Sequence, residues 1–117
     1  MLKVYQNKET RKIIFSAEEV CLADWTEVIA GSVDAAKEKH VPMVALNGNE
    51  VKVDVGSVAH PMVEEHWIEW VAIVTDNGVQ IRYLKAGNAP VCKFLLADGE
   101  TLKETYAYCN LNGLWKA

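Results

Sequence analysis

Four residues in this 117-residue chain offer the chemistry of a metal site: His40, His60, His66 and Cys109. Neutral imidazole nitrogen and thiolate sulfur are common protein ligands for zinc and iron. The set contains all three of the chain's histidines and one of its three cysteines. No histidine sits inside a clear core stripe. His40 ends a charged segment ahead of Val41-Pro42, His60 is pushed extended by Pro61, and His66 opens a long apolar run. Cys109 ends the last apolar run, before Asn110-Leu111-Asn112-Gly113. Turns and strand ends at the rim of a β-domain are where distant ligands converge. The spacings match no common zinc signature. The absence of any Cys-x-x-Cys pair excludes a rubredoxin-type or zinc-ribbon site. Taken singly, the same residues also read as surface histidines and a packed thiol.

The elements that must position these residues are mainly strands. Val51–Val55 alternates with period two, as a half-buried strand does. His66–Thr75 is longer, apolar and rich in β-branched and aromatic residues. Asp76-Asn77-Gly78 then signals a hairpin, with Val79–Leu84 as the return strand. Val91–Leu96 and Glu104–Cys109 complete the set, with Ala97-Asp98-Gly99 as the turn between them. Short strands separated by regular turns indicate an all-β sandwich. Lys3–Gln6 and Lys12–Phe15 read as short strands, and Ser16-Ala17-Glu18-Glu19 has the form of a helix-starting capping box. Asp34 stands as an N-cap before good helix formers up to Lys39, and Pro42 limits that helix to a turn or two.

Length and composition suit one ordinary globular domain: half the residues are hydrophobic and 24% are charged. A net charge of −4 gives no basic face, which sets nucleic acid aside as a partner. A small anionic substrate stays open, because local charge decides its approach. No apolar run reaches the length of a membrane span and the first residues lack a signal-peptide core, so no membrane partner and a cytoplasmic location are expected. Three widely spread cysteines argue against a disulfide framework.

Glu38-Lys39-His40-Val41-Pro42, Gly56-Ser57-Val58-Ala59-His60-Pro61-Met62, Glu65-His66-Trp67-Ile68 and Cys109-Asn110-Leu111-Asn112-Gly113-Leu114-Trp115 occur in that order. From about Ser32 to the end the chain thereby resembles the superoxide reductase family, which includes desulfoferrodoxin and neelaredoxin. The resemblance implies an immunoglobulin-like β-sandwich over residues 32–117. It also implies a mononuclear non-haem iron held by four equatorial histidines and an axial cysteine, with superoxide reduced by one electron to hydrogen peroxide. Matched position by position, His40, His60 and His66 are three of the histidines and Cys109 is the axial thiolate. Lys39 matches the lysine that draws in the superoxide anion, and Glu38 the carboxylate that caps the oxidised iron.

The fourth histidine should fall at position 112, where this chain has asparagine. An amide oxygen is a weak neutral ligand. Asn112 therefore leaves three outcomes: its oxygen or a water fills the equatorial place, the site relaxes to a tetrahedral set suited to zinc, or affinity drops until the site is often empty. The alternative function is then a non-enzymatic or weakened metal-binding domain. Asn112 is also a natural loop residue before Gly113.

Residues 1–31 resemble the small cysteine-ligated module that precedes the catalytic domain in two-iron members. Its cysteines would fall near Asn7, Thr10, Cys21 and Leu22, and only Cys21 remains. A vestigial segment without its metal is expected, and with it an external electron donor such as rubredoxin. The resemblance also implies a homo-oligomer, a dimer for preference. Cys92 reads as a packed core thiol.

Overall fold

A computed structural model describes residues 2–117 of the chain. It divides into two compact units, with the break at Ala30–Gly31.

The first unit is a three-stranded antiparallel sheet of β1 (Lys3–Asn7), β2 (Ile13–Ser16) and β3 (Trp25–Val28), with β1 central. Val4 and Tyr5 are buried, and the Tyr5 hydroxyl accepts the Val20 backbone N–H at 3.0 Å. The β1–β2 turn is held by side-chain oxygens. Asn7 Oδ1 accepts the N–H groups of Glu9 and Thr10, each at 2.9 Å, and Thr10 Oγ1 accepts that of Lys12 at 3.3 Å. The two expected strands are present, and β3 is an addition. No helix starts at Ser16. Its hydroxyl donates to the Glu18 carbonyl at 2.7 Å and accepts the Glu18 N–H at 3.1 Å, so the motif makes a turn after β2 instead.

The second unit is an all-β sandwich of the immunoglobulin-like kind. In chain order it holds α1 (Lys37–His40), β4 (Pro42–Asn47), β5 (Glu50–Val55), β6 (Ile68–Thr75), β7 (Gly78–Tyr83), β8 (Val91–Leu95), β9 (Leu102–Cys109) and β10 (Gly113–Lys116). The strands form two antiparallel sheets, ordered β4-β5-β8 and β10-β9-β6-β7. Their facing side chains make one core: Val51, Val53 and Val55 of β5, Cys92 and Phe94 of β8, Ile68, Val71 and Ile73 of β6, and Ala107 and Cys109 of β9. Between the β5 valines, Lys52 and Asp54 face outward and pair at 3.8 Å. In the β6–β7 hairpin Thr75 pairs with Gly78, so the two-residue turn is Asp76-Asn77 and Gly78 already belongs to the return strand.

The helix expected after Asp34, a turn or two long, is one turn. Its N-cap is Ala36 and not Asp34, with no side-chain bond, and it ends where Val41 must be extended (φ −69°, ψ 120°) before Pro42. Pro42 itself opens β4, an edge strand, where a missing N–H is tolerated. His66 lies just before β6, in an isolated bridge with Val63, rather than in the strand.

Candidate metal centre

One helix end, two loops and one strand end bring the ligand candidates together. His40 is the last residue of α1, where Pro42 ends the helix. His60 follows β5 in a loop that folds back on α1: Gly56 N–H donates to Val41 O at 3.2 Å and Val58 N–H to Glu38 O at 2.9 Å. That return requires glycine. Gly56 has φ +85°, and a Cβ there would meet the carbonyl oxygens of Val58, Lys39 and Glu38. His66 and Val63 exchange both backbone bonds at 3.0 Å, closing a tight loop. Asn110 ties that loop to the β9–β10 hairpin: its Oδ1 accepts Trp67 N–H at 2.9 Å and its Nδ2 donates to Glu65 O at 3.1 Å. Cys109 ends β9 opposite Gly113, whose φ of +76° closes the hairpin.

The ligand atoms of His40, His60, His66 and Cys109 all lie within 4.8 Å of one another. His40 and His60 are 3% exposed and Cys109 fully buried, so the cluster grows out of the core. His40 Nδ1 lies 2.7 Å from the Ala36 carbonyl and His60 Nδ1 2.7 Å from that of Pro61. A carbonyl only accepts, so both Nδ1 atoms carry the proton and both Nε2 atoms present bare lone pairs. These two Nε2 atoms face each other at 3.2 Å. Two ring nitrogens that close are satisfied by a proton or a metal ion between them, and a carbonyl on the far nitrogen is the usual support of a metal-binding histidine. The donor set therefore fits a metal.

The rings are not equally spaced. Centroids are 4.7 Å apart for His40–His60 and for His60–His66, but 6.4 Å for His40–His66. Rings radiating to the corners of a tetrahedron would be equidistant. Here the long separation stands to the short ones nearly as a square's diagonal to its side, with His60 at the corner between the other two. Asn112 occupies the open side: its Nδ2 is 3.0 Å from His40 Nε2 and 3.5 Å from His66 Nε2. Trp115 tilts over the His40 ring at 4.9 Å and donates Nε1–H to the Asn112 backbone carbonyl at 3.0 Å.

Burial and neighbouring charge shift three of the four groups. Burial, together with His40, His66 and Lys39 nearby, pushes His60 down to about 4 against the pull of the Pro61 carbonyl. His66 is lowered by burial, His40 and Lys39. Burial pushes the Cys109 thiol up, while the backbone N–H groups of Asn112 and Leu111 bond the sulfur and oppose that rise. Lys39 and Glu38 are exposed beside His40 on the solvent side.

A family model for desulfoferrodoxin matches residues 32–117. The chain belongs to the desulfoferrodoxin family. Among curated relatives, the desulfoferrodoxin of Nitratidesulfovibrio vulgaris is 51% identical over 88 residues, 74% of this chain and 68% of the relative. A putative superoxide reductase of Archaeoglobus fulgidus is 32% identical over 72% of this chain and 89% of its own length. Among solved structures, the superoxide reductase from Treponema pallidum is 39% identical with a TM-score of 0.85, covering 100% of this chain and 98% of that one. A superoxide reductase from Giardia intestinalis is 35% identical with a TM-score of 0.59, over 69% of this chain and 96% of that one. Desulfoferrodoxin relatives and superoxide reductase folds thus meet on the unit that carries the His–Cys cluster.

Motif order picks out the histidines, the cysteine and Asn112. It gives no role to Gly56, Asn110 or Trp115. Gly56 and Asn110 lie within the same motifs, and their work shows only as close approach and hydrogen bonds between loops. The carbonyls of Ala36 and Pro61 leave no side-chain signal at all.

Proposed function

We propose that this chain is a superoxide reductase, converting superoxide, one electron and two protons to hydrogen peroxide without forming oxygen. The observation that carries the reading is the pair of bare Nε2 atoms facing each other beside a buried thiol, in a chain of this family. His40, His60, His66 and Cys109 are the residues that would hold a mononuclear iron, which supplies the electron. The Ala36 and Pro61 carbonyls fix the two imidazoles with Nε2 inward. The N–H groups of Leu111 and Asn112 steady the sulfur as a thiolate. Lys39 places a positive charge that bears on both His60 and His66, where it draws in a small anion. Glu38, exposed next to Lys39, would supply a carboxylate to that metal.

Zinc in a non-enzymatic domain is the second reading, and the unequal ring separations speak against its tetrahedral preference. On the first reading residues 1–31 are a vestigial module without metal and 32–117 the catalytic domain. Electrons come from an external donor of the rubredoxin type. A homodimer working in the cytoplasm rests on the family likeness alone; no helix among the described residues is long and apolar enough to cross a membrane. The test is anaerobic loading with ferrous iron, elemental analysis, and superoxide consumption with peroxide and oxygen both measured. Peroxide without oxygen supports the proposal. One iron per chain with no superoxide reduction rejects it.

A further inference from the structure

Asn112 stands at a corner that the three histidines leave open. Its amide contacts His40 and His66, the two rings farthest apart, and so lies across from His60. Its main chain is fixed on both sides. The N–H bonds the Cys109 sulfur and the carbonyl accepts Trp115 Nε1–H. The side chain therefore starts from a set position, and rotation of the terminal amide is its main freedom. As the structure stands, Nδ2 is turned to the histidine lone pairs as a donor. The side chain also bonds the Cys109 sulfur, and once the histidine lone pairs are given to a cation that sulfur is the one acceptor left to the NH₂ group there. A half-turn of the amide then brings Oδ1, a neutral acceptor, to the same corner.

We propose that Asn112 is a metal ligand through Oδ1, completing an equatorial set of three imidazole nitrogens and one amide oxygen. The inference rests on the reading of His40, His60, His66 and Cys109 as ligands and adds a fifth donor to them. Its chemical consequence is a harder, weaker donor opposite His60 than an imidazole would be. The centre is then coordinated by five protein groups and is not a relaxed four-ligand site. It binds iron less tightly than a four-histidine set would.

Cobalt(II) titrated without oxygen into the metal-free full chain tests this, with visible absorption as the readout. Four-coordinate cobalt gives intense visible bands, five-coordinate cobalt weaker ones, and bound thiolate adds a near-ultraviolet charge-transfer band. The wild type should show the thiolate band with weak visible bands. Asn112→Leu keeps the shape, removes the oxygen and covers the corner. It should lower affinity on the order of tenfold or more and intensify the visible bands. Asn112→Asp should restore tight binding. A leucine variant that matches the wild type in affinity and spectrum, with the thiolate band intact in both, overturns the role of Asn112 and leaves the four-ligand reading standing. A wild type without the thiolate band overturns both. If the leucine variant does not fold, Asn112→Asp and Asn112→His decide. Either must change affinity and visible bands, and no change in both rejects Asn112 as a ligand.

Discussion

Gly56→Ala should damage the metal centre without touching a ligand. Two costs combine. At φ +85° an alanine sits in the left-handed region, which costs roughly 1–2 kcal/mol. Its Cβ would also lie 2.7 Å from Lys39 O and 2.8 Å from Glu38 O, and closer still to Val58 O. All three are backbone atoms, so the α1 end and the His60 loop must move apart, an overpacking cost of about 1–3 kcal/mol. The total is roughly 2–5 kcal/mol, which lowers Tm by on the order of 10 °C or more for a domain of this size. Gly99→Ala is the control. Gly99 has a similar φ of +81° but nothing within 4 Å of the added Cβ, so it bears only the backbone cost. Thermal and urea unfolding of both metal-free variants isolate the crowding as the difference between them. Cobalt titration should then show weaker binding for Gly56→Ala and wild-type binding for Gly99→Ala. Equal losses of stability would refute the argument that glycine is needed for close approach.

Three further outcomes follow from other parts of the molecule. Lys39→Met should slow the second-order reaction with superoxide roughly tenfold at low salt and flatten its dependence on ionic strength, as followed by pulse radiolysis; a rate that still falls with salt as in the wild type argues against steering. Glu104 accepts from Lys116 at 2.7 Å and from the Tyr106 hydroxyl at 2.7 Å; burial alone would raise its carboxyl, but these two partners hold it below the usual range. Its contribution is therefore present above the ordinary carboxylate pKa and lost as pH falls through the lowered one. Glu104→Gln should cost about 1 kcal/mol at neutral pH and reduce the acid slope of the urea midpoint, and an unchanged slope would count against it. Thiol labelling of the native protein should modify exposed Cys21 quickly, while Cys92, buried and pushed up to about 11, and buried Cys109 react only on unfolding; rapid loss of all three thiols would contradict the packing described.

Legibility in the sequence followed burial pattern. β5 reads clearly because Val51, Val53 and Val55 alternate with outward-facing partners. The β6–β7 hairpin reads because a long apolar run meets Asp76-Asn77-Gly78. β4 does not read, since Met43 to Asn47 are exposed on both faces of an edge strand and leave no period to detect. β3 and β10 have four residues each and lack the run of three apolar residues, Ile13-Ile14-Phe15, that marks the equally short β2. The one-turn helix before Pro42 reads because Pro42 leaves room for little more, but its N-cap falls at Ala36 and not at Asp34. At the site, motif order identifies the ligand candidates, and the Asn112 departure is plain in the sequence. That its amide spans His40 and His66 is not, because this depends on the hairpin angle and the Trp115 bond.

In the β1–β2 turn, Asn7 and Thr10 stand near where the family likeness places two metal-binding cysteines, and their oxygens take up backbone N–H groups instead. Those oxygens come with the chain itself. The turn can close as soon as it is synthesised, whether or not a cell has metal to spare. On the function proposed above each molecule asks for a single ion, and scarcity would bear on the reactivity of the second unit alone.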